Sequence, residues 1–540
     1  MNLFDAIFRN NPPAKPAVLY EQQEITYGDL REETLRLSRV LTLLGIIAGD
    51  RVALLLNDSP EFIASFIAIA SSGAIAVPIN MGLRLNEQQL ILNNCGASVA
   101  LVESDLTETL LRNAHEKLPR LKEVVLVCRG ESESISQREG PSSQITRPRI
   151  QTLPDLLSET KARPALEFPS AHKDTPAFIL YTSGSTGEPK GAVHSQAHVY
   201  YTKDTFCREV LNLKPNDRLF SSSRLPFAYG LGNSLSFPLL NGATTILCRQ
   251  KPTAEVIGRI FVDHKPTVFF GVPVIYNLLL EHHRRGLALD CSSLRICISA
   301  GEALPAQLGE EWERTFGVPV LDGIGSTEML HMFMSNHEGD VRYGSSGKLI
   351  DGYDARLLDE HGNPTPPGAE GNLWVKGESA ALGYWQKPEV TASTFVDGWV
   401  RTGDLYRSND GYWFHMGRSD DCFKSSGQWV SPVEVEGALL RNERISRAAV
   451  VEDFDKDGLP CACAFVVCKD VESNLTRVEE ELRGFLKASL PRLKQPRRYV
   501  FVSELPYTAT GKIQRFKLRE QLKQVQSPMS RVQSLSLGDD

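Results

Sequence analysis

The chain has 540 residues, with 59 Lys and Arg against 66 Asp and Glu and a net charge of −7. That length allows three or four domains and a sizeable core, while the slightly acidic balance excludes a basic face built for nucleic acid. The 10 cysteines follow no framework spacing, so neither a disulfide scaffold nor a paired zinc knuckle is indicated, and Cys461, Cys463 and Cys468 read as buried thiols of a reducing compartment.

The N-terminus, "MNLFDAIFRNNPPAKPAVLY", carries Asp5 and lacks the apolar core of a secretory signal. Phe62 to Ile79 is as long as a membrane span, but it breaks at Ser71-Ser72-Gly73 and at Pro78. It reads as a buried helix running into a buried strand. The expectation is a soluble cytoplasmic protein with no membrane partner.

From residue 15 to 300, strand-like runs alternate with helical patterns. "RVALLLN" (51–57), "VALVES" (99–104), "TTILC" (244–248) and "TVFFGVP" (267–273) each precede a helix-like stretch. That alternation predicts βαβ units and parallel sheet. Residues 129–149 carry only two large apolar side chains, Ile135 and Ile145, and read as a surface insertion. From about 340, short strands among Gly and Pro predict antiparallel hairpins of a small β-barrel-like subdomain. From Ser419 the pattern becomes an α+β unit of about a hundred residues, and the end of the chain, 523–540, reads as a frayed tail. The boundaries are 1–418, 419–522 and 523–540. There are no internal repeats.

One stretch carries chemistry on its face. "YTSGSTGEPKG", Tyr181 to Gly191, holds two Ser, two Thr, three Gly and Lys190 in eleven residues, between an apolar run and a segment of helix-forming character. Glycines there let backbone N–H groups approach an anion, hydroxyls add donors and Lys190 adds charge. The composition suits a phosphate, but the spacing is neither a Walker A loop nor Gly-x-Gly-x-x-Gly.

The stretch resembles the phosphate loop of the acyl-adenylate-forming enzymes: acyl- and aryl-CoA synthetases, peptide-synthetase adenylation domains and luciferases. Further motifs of that family follow in its order. The resemblance implies an ATP site in which Thr182, Ser183, Gly184, Ser185, Thr186 and Lys190 face the phosphates. "SAGEALP" (299–305) resembles the segment flanking adenine, with Gly301, Glu302 and Ala303. "DGIGSTE" (322–328) resembles the Tyr-Gly-x-Thr-Glu motif, placing Asp322, Gly323 and Ile324 by the base. It makes Thr327 a phosphate donor and Glu328 the Mg2+ ligand; alone, Glu328 would pass for an ordinary surface acid. Ile324 stands where many relatives carry an aromatic ring, which removes one stacking face. "VRTGDLY" (400–406) and "GRSDDCFKSSGQW" (417–429) imply that Asp404 accepts the ribose hydroxyls and that Arg418 contacts ribose or phosphate. They make Asp420 the hinge and Gly427 the opening for the thiol. "LPYTATGKIQR" (505–515) resembles the C-terminal motif whose lysine, Lys512, is catalytic, with Thr510 in place of the usual serine.

The family forms acyl-AMP and pyrophosphate from a carboxylate and MgATP, and a thiol then expels AMP. A small mobile C-terminal α+β domain rotates between the two steps. Catalysis would fall to Lys512, Thr327 and Glu328 acting on charge, since the substrate carboxylate is itself the nucleophile. "RLPFAYGLGNSLSFPLL" (224–240) and "STEMLHMFMSN" (326–336) resemble the benzoate–CoA ligase branch. In that branch Ala228, Tyr229 and Gly230 wall a flat pocket, Gly301 lies at its side and His331 comes near the carboxylate end. From sequence alone His331 reads equally as a packed core residue. The expected substrates are an aryl acid (benzoate, 2-aminobenzoate or a hydroxybenzoate), ATP with Mg2+, and coenzyme A. A carrier-protein phosphopantetheine is the second choice of thiol. A non-catalytic binding protein of the same fold stays open, although Lys512, Glu328, Asp404 and Lys190 are all present.

Overall fold

The computed structural model describes residues 2–103, 110, 117–127, 148–161, 163–164, 167–183, 189–425, 428–455, 458–469, 475–507 and 513–526. The stretch read as a surface insertion lies outside the described residues except Pro148 and Arg149.

Two large sheets form the body of residues 1–350. One has seven strands, parallel except where Pro176–Ser183 meets Pro189–Ser195. The other has nine, with Thr244–Leu247, Arg218–Ser221, Val268–Gly271, Ile296–Ser299 and Val320–Gly325 running parallel in that order. The segment long enough to span a membrane becomes a helix, Pro60–Ser71, and a strand, Ile75–Pro78. Both are buried: Ser59 caps the helix by accepting the Phe62 amide, and Gly73 takes φ +87° between the two elements. No described helix is long and apolar enough to cross a membrane.

The sheets are parallel because their strands are apolar on both faces, which only helices on each side can cover. "VFFG" and "ICIS", for example, are fully buried strands. The helix Ala254–His264 turns Ile257, Ile260 and Phe261 inward, one apolar face at helical period.

The third sheet is antiparallel and five-stranded, built from Asp354–Leu358, Glu370–Lys376, Phe395–Val396, Trp399–Asn409 and Tyr412–Arg418. Its two-residue turns at Asp397-Gly398 (φ 51° and 77°) and Asp410-Gly411 (53° and 78°) are the left-handed pairs that such hairpins require. No pairing closes this sheet into a full barrel among the described residues. A three-stranded sheet, Ile445–Phe454, Pro460–Cys468 and Arg498–Phe501, packs with the helices Pro432–Leu440 and Leu475–Lys487 to form the C-terminal unit. The last helix, Arg515–Gln526, runs four residues past the tail boundary read from sequence. Cys461 and Cys463 are buried on one strand, and no group of three metal-ligating side chains occurs among the described residues.

Candidate active site

Gly301 and Asp322 lie at the carboxyl ends of two parallel strands, where open α/β sheets bind ligands. Ser299 and Asp322 are paired neighbours there. Gly301 follows at φ +94° and is exposed. The Leu304 amide donates to Asp322 Oδ2 at 3.2 Å, which ties the segment 301–304 to the next strand. Burial pushes the Asp322 carboxyl up to about 8. A Cβ at Gly323 would fall 2.4 Å from the Met334 carbonyl, so this strand position needs glycine.

The sequence read Tyr181–Gly191 as a loop between a strand and a helix. It is instead the tip of a hairpin: Thr182 pairs with Lys190 and Ser183 with Pro189. The chain stays extended as far as Ser195 because Val193 pairs with Ile179 in the sheet, and the helix begins at Gln196. Gly191 is required here, since a Cβ would sit 2.6 Å from Ile179 and 2.9 Å from the Tyr181 ring. Gly184, Ser185 and Thr186 lie outside the described residues, as do Gly427 and Lys512.

Thr327 and Glu328 stand in a turn between the strands Val320–Gly325 and Met332–Ser335. Tyr384 donates to Glu328 Oε1 at 2.6 Å, and Lys190 Nζ lies 5.7 Å above the Tyr384 ring. The phosphate-loop lysine and the acidic residue, far apart in sequence, thus meet on one phenol. Asp404 and Arg418 are opposite each other on paired strands, with Arg418 Nη1 donating to Asp404 Oδ1 at 3.1 Å. His415 Nε2 is 3.5 Å from the same oxygen. Burial works against the Asp404 charge, but His415 and Arg418 together hold its carboxyl below the usual range. Arg418 is also within electrostatic reach of Glu328. Asp420 is exposed in the turn that follows.

Ala228, Tyr229 and Gly230 open a short helix that continues into a π-helical turn, Gly232–Ser236. Such turns recur at functional sites. The Tyr229 hydroxyl reaches the carbonyls of Ile298 (3.3 Å) and Gly271 (3.4 Å), at the sheet ends. Its ring centroid is 5.5 Å from that of His331, and Phe206 and Phe237 stand at 4.8 and 4.6 Å from the same imidazole. His331 is packed in the core and borders Tyr229. Its Nε2 lies 3.1 Å from the Asn233 amide oxygen, so that nitrogen carries the proton. The approach is close because Gly232 has no Cβ, which would fall 2.5 Å from the ring.

Ile513, next to Lys512, donates its amide to Glu302 at 3.2 Å. The residue after the expected catalytic lysine thus rests on the segment expected to flank adenine.

Three partners were not singled out from sequence. Tyr384 and His415 lie outside the motifs, Asn233 lies within 224–240 without a role there, and only contacts between distant segments reveal them. A fourth, His194, lies just past Gly191 on the strand Pro189–Ser195 and belongs to none of the motifs.

Two expectations follow from this geometry. A Cβ on Gly230 would meet the Arg224 carbonyl oxygen at 2.0 Å, a backbone atom that cannot swing aside. Gly230→Ala should cost about 3 kcal/mol, read as a lowered midpoint in chemical denaturation. Burial pushes the His331 imidazole down to about 3. The unfolded chain takes that proton near the ordinary value of 6.5 while the folded chain refuses it, so stability is complete above about 6.5 and falls as pH drops toward 3. His331→Phe should flatten the loss of melting temperature between pH 7 and 5. An unchanged slope would refute this.

Comparison with known proteins gives the family. The family model for AMP-binding enzymes matches residues 4–385, and the model for the C-terminal domain of AMP-binding enzymes matches residues 434–512. A benzoate–CoA ligase of Thauera aromatica is 40% identical over 504 residues, covering 92% of this chain and 90% of the relative. The crystal structure of an anthranilate–CoA ligase in complex with anthranoyl-AMP superposes with a TM-score of 0.88 at 36% identity, covering 97% of this chain and 98% of that one. A benzoate–CoA ligase structure from Burkholderia xenovorans gives a TM-score of 0.83 at 37% identity, over 96% and 100%. The chain belongs to the AMP-binding, acyl-adenylate-forming enzymes, in their benzoate–CoA ligase branch.

Proposed function

We propose that this protein is an AMP-forming aryl-acid–CoA ligase, which activates benzoate or a ring-substituted benzoate as its acyl-AMP and passes the acyl group to coenzyme A. The observation that carries this reading is the placement of Tyr229 and His331 at the sheet ends, in the same strand-end cluster as Thr327–Glu328. A flat, largely apolar wall suits an aromatic ring, and a charge-handling turn suits the phosphate that its carboxylate attacks.

In this reading the acid's carboxylate oxygen forms the bond to the α-phosphorus of ATP and the bond to pyrophosphate breaks. Lys190, Thr327 and Lys512 supply positive charge and donors to the oxygens on which charge builds. Asp404 accepts the ribose hydroxyls while Arg418 and His415 hold it ionised. Glu328 suits Mg2+, which is bound through one or two carboxylates together with substrate phosphates rather than in an all-protein cage. Mg2+ there would neutralise phosphate charge. In the second step coenzyme A's sulfur bonds to the acyl carbon and AMP leaves, after Asp420 has swung the C-terminal unit and brought Gly427 to the thiol path.

The nine free cysteines among the described residues fit a reducing cytoplasm. Incubation with ATP, Mg2+, coenzyme A and benzoate or 2-aminobenzoate, followed by mass detection of the products, tests the proposal. Aryl-CoA and AMP in equal amounts are expected. Acyl-AMP that stays bound despite coenzyme A would assign the second step to another thiol.

A further inference from the structure

The turn carrying Thr327 and Glu328 is strained and externally held. Leu330, buried and not glycine, takes φ +64°, a conformation a bulky side chain adopts only when its surroundings force it. Three contacts from outside the turn fix Thr327 and Glu328. His194 Nε2 lies 2.8 Å from the Thr327 carbonyl, the Ala381 amide donates to the Glu328 carbonyl at 2.7 Å, and the Tyr384 hydroxyl donates to Glu328 Oε1.

All three contacts hang on one strand. Pro189–Ser195 carries Lys190 and His194. Residues 381–385 lie along it through bonds from Val193 to the Gly383 carbonyl (2.9 Å), from Leu382 to the Val193 carbonyl (2.8 Å) and from Trp385 to the Gly191 carbonyl (2.8 Å). Tyr384 is fixed again by its own amide on Thr391 Oγ1 at 2.9 Å.

The histidine has a buried partner. His194 Nδ1 lies 2.9 Å from His198 Nδ1. Burial holds both rings neutral. His194 must carry its proton on Nε2 to donate to a carbonyl, which leaves its Nδ1 an acceptor facing His198 Nδ1, a nitrogen that the Ser195 amide also approaches at 3.4 Å. The bond to the Thr327 carbonyl thus sets which nitrogen of His194 bears the hydrogen, and His198 packs behind it.

We propose that Tyr384 and His194 are positioning residues for Glu328 and Thr327. Tyr384 occupies Oε1 of the carboxylate and so aims Oε2 at the cation that accompanies ATP, while His194 fixes the peptide that carries the Thr327 hydroxyl. The Tyr384 ring also faces Lys190, so one side chain sets the two opposite charges that grip the phosphates relative to each other. This rests on the reading of Glu328 as a metal ligand and Thr327 as a phosphate donor.

The test measures metal affinity directly, by paramagnetic resonance of Mn2+ titrated into the full-length protein with a non-hydrolysable ATP analogue. Tyr384→Phe, which keeps the ring, should weaken Mn2+ binding about tenfold without shifting the melting temperature by more than a few degrees. His194→Leu should slow single-turnover acyl-AMP formation. His194→Gln, whose amide N–H reaches the same carbonyl, should restore most of the rate and also serves if the leucine variant does not fold. Glu328→Gln separates the two levels of the argument. If it weakens Mn2+ binding and Tyr384→Phe does not, the positioning role of Tyr384 is overturned and the metal reading stands. If neither weakens it, both fall. Equal loss of rate in the leucine and glutamine variants, with normal melting, would overturn the role of His194.

Discussion

Lys512→Ala is expected to slow acyl-AMP formation by about 10²–10³-fold while leaving thioester formation from supplied aryl-AMP largely intact. The reason is where the charge develops. The first step builds negative charge on phosphate oxygens that are already anionic, and an ammonium placed there acts only in that transition state. The second step expels AMP from a carbonyl carbon, after the C-terminal unit has turned and carried Lys512 away. Ile513, one residue on, donates its amide to Glu302, which sets the C-terminal motif against the segment expected to flank adenine. Rapid-quench measurement of each half-reaction separates the two steps. Equal loss in both would contradict domain alternation.

Asp404→Ala is expected to raise the KM for ATP about a hundredfold and to leave the KM of the acid nearly unchanged. Two charge-assisted hydrogen bonds to a ribose diol are lost, each contributing about 1.5 kcal/mol or more. Arg418 is not stranded by the change, because its side chain is 48% exposed and water can solvate it. Initial-rate kinetics with ATP and acid varied separately give the answer. A change confined to the acid's KM would mean that Asp404 serves the other substrate.

Most of the fold was legible because its signals are local. "RVALLLN", "TTILC" and "TVFFGVP" became the strands Arg51–Leu55, Thr244–Leu247 and Val268–Gly271, each buried on both faces as a parallel strand must be. The apolar stretch Phe62–Ile79 was resolved correctly by Gly73 and Pro78. The phosphate-loop hairpin was misread because the residues after Lys190 have no strand period of their own. They are extended because Ile179 and the segment 381–385 pair with them, an example of tertiary context overriding propensity.

The site divided the same way. Tyr229, His331, Asp404 and Arg418 came from motifs, and the structure pairs each with a partner. Tyr384 reaches Glu328 across 56 residues and His194 reaches Thr327 across 133, and no periodicity spans such separations. The roles of Asp420, Gly427 and Lys512 come from motif resemblance, and the Lys512→Ala experiment is aimed at the last of them.

The most direct test of the account is pyrophosphate release with ATP, Mg2+ and a panel of benzoate, 2-aminobenzoate, 4-hydroxybenzoate, a medium-chain fatty acid and several amino acids, each with and without coenzyme A. The account predicts sustained turnover for aryl acids only when coenzyme A is present, with the fatty acid and amino acids silent. Turnover with the fatty acid or amino acids instead, or silence with every aryl acid, would contradict it.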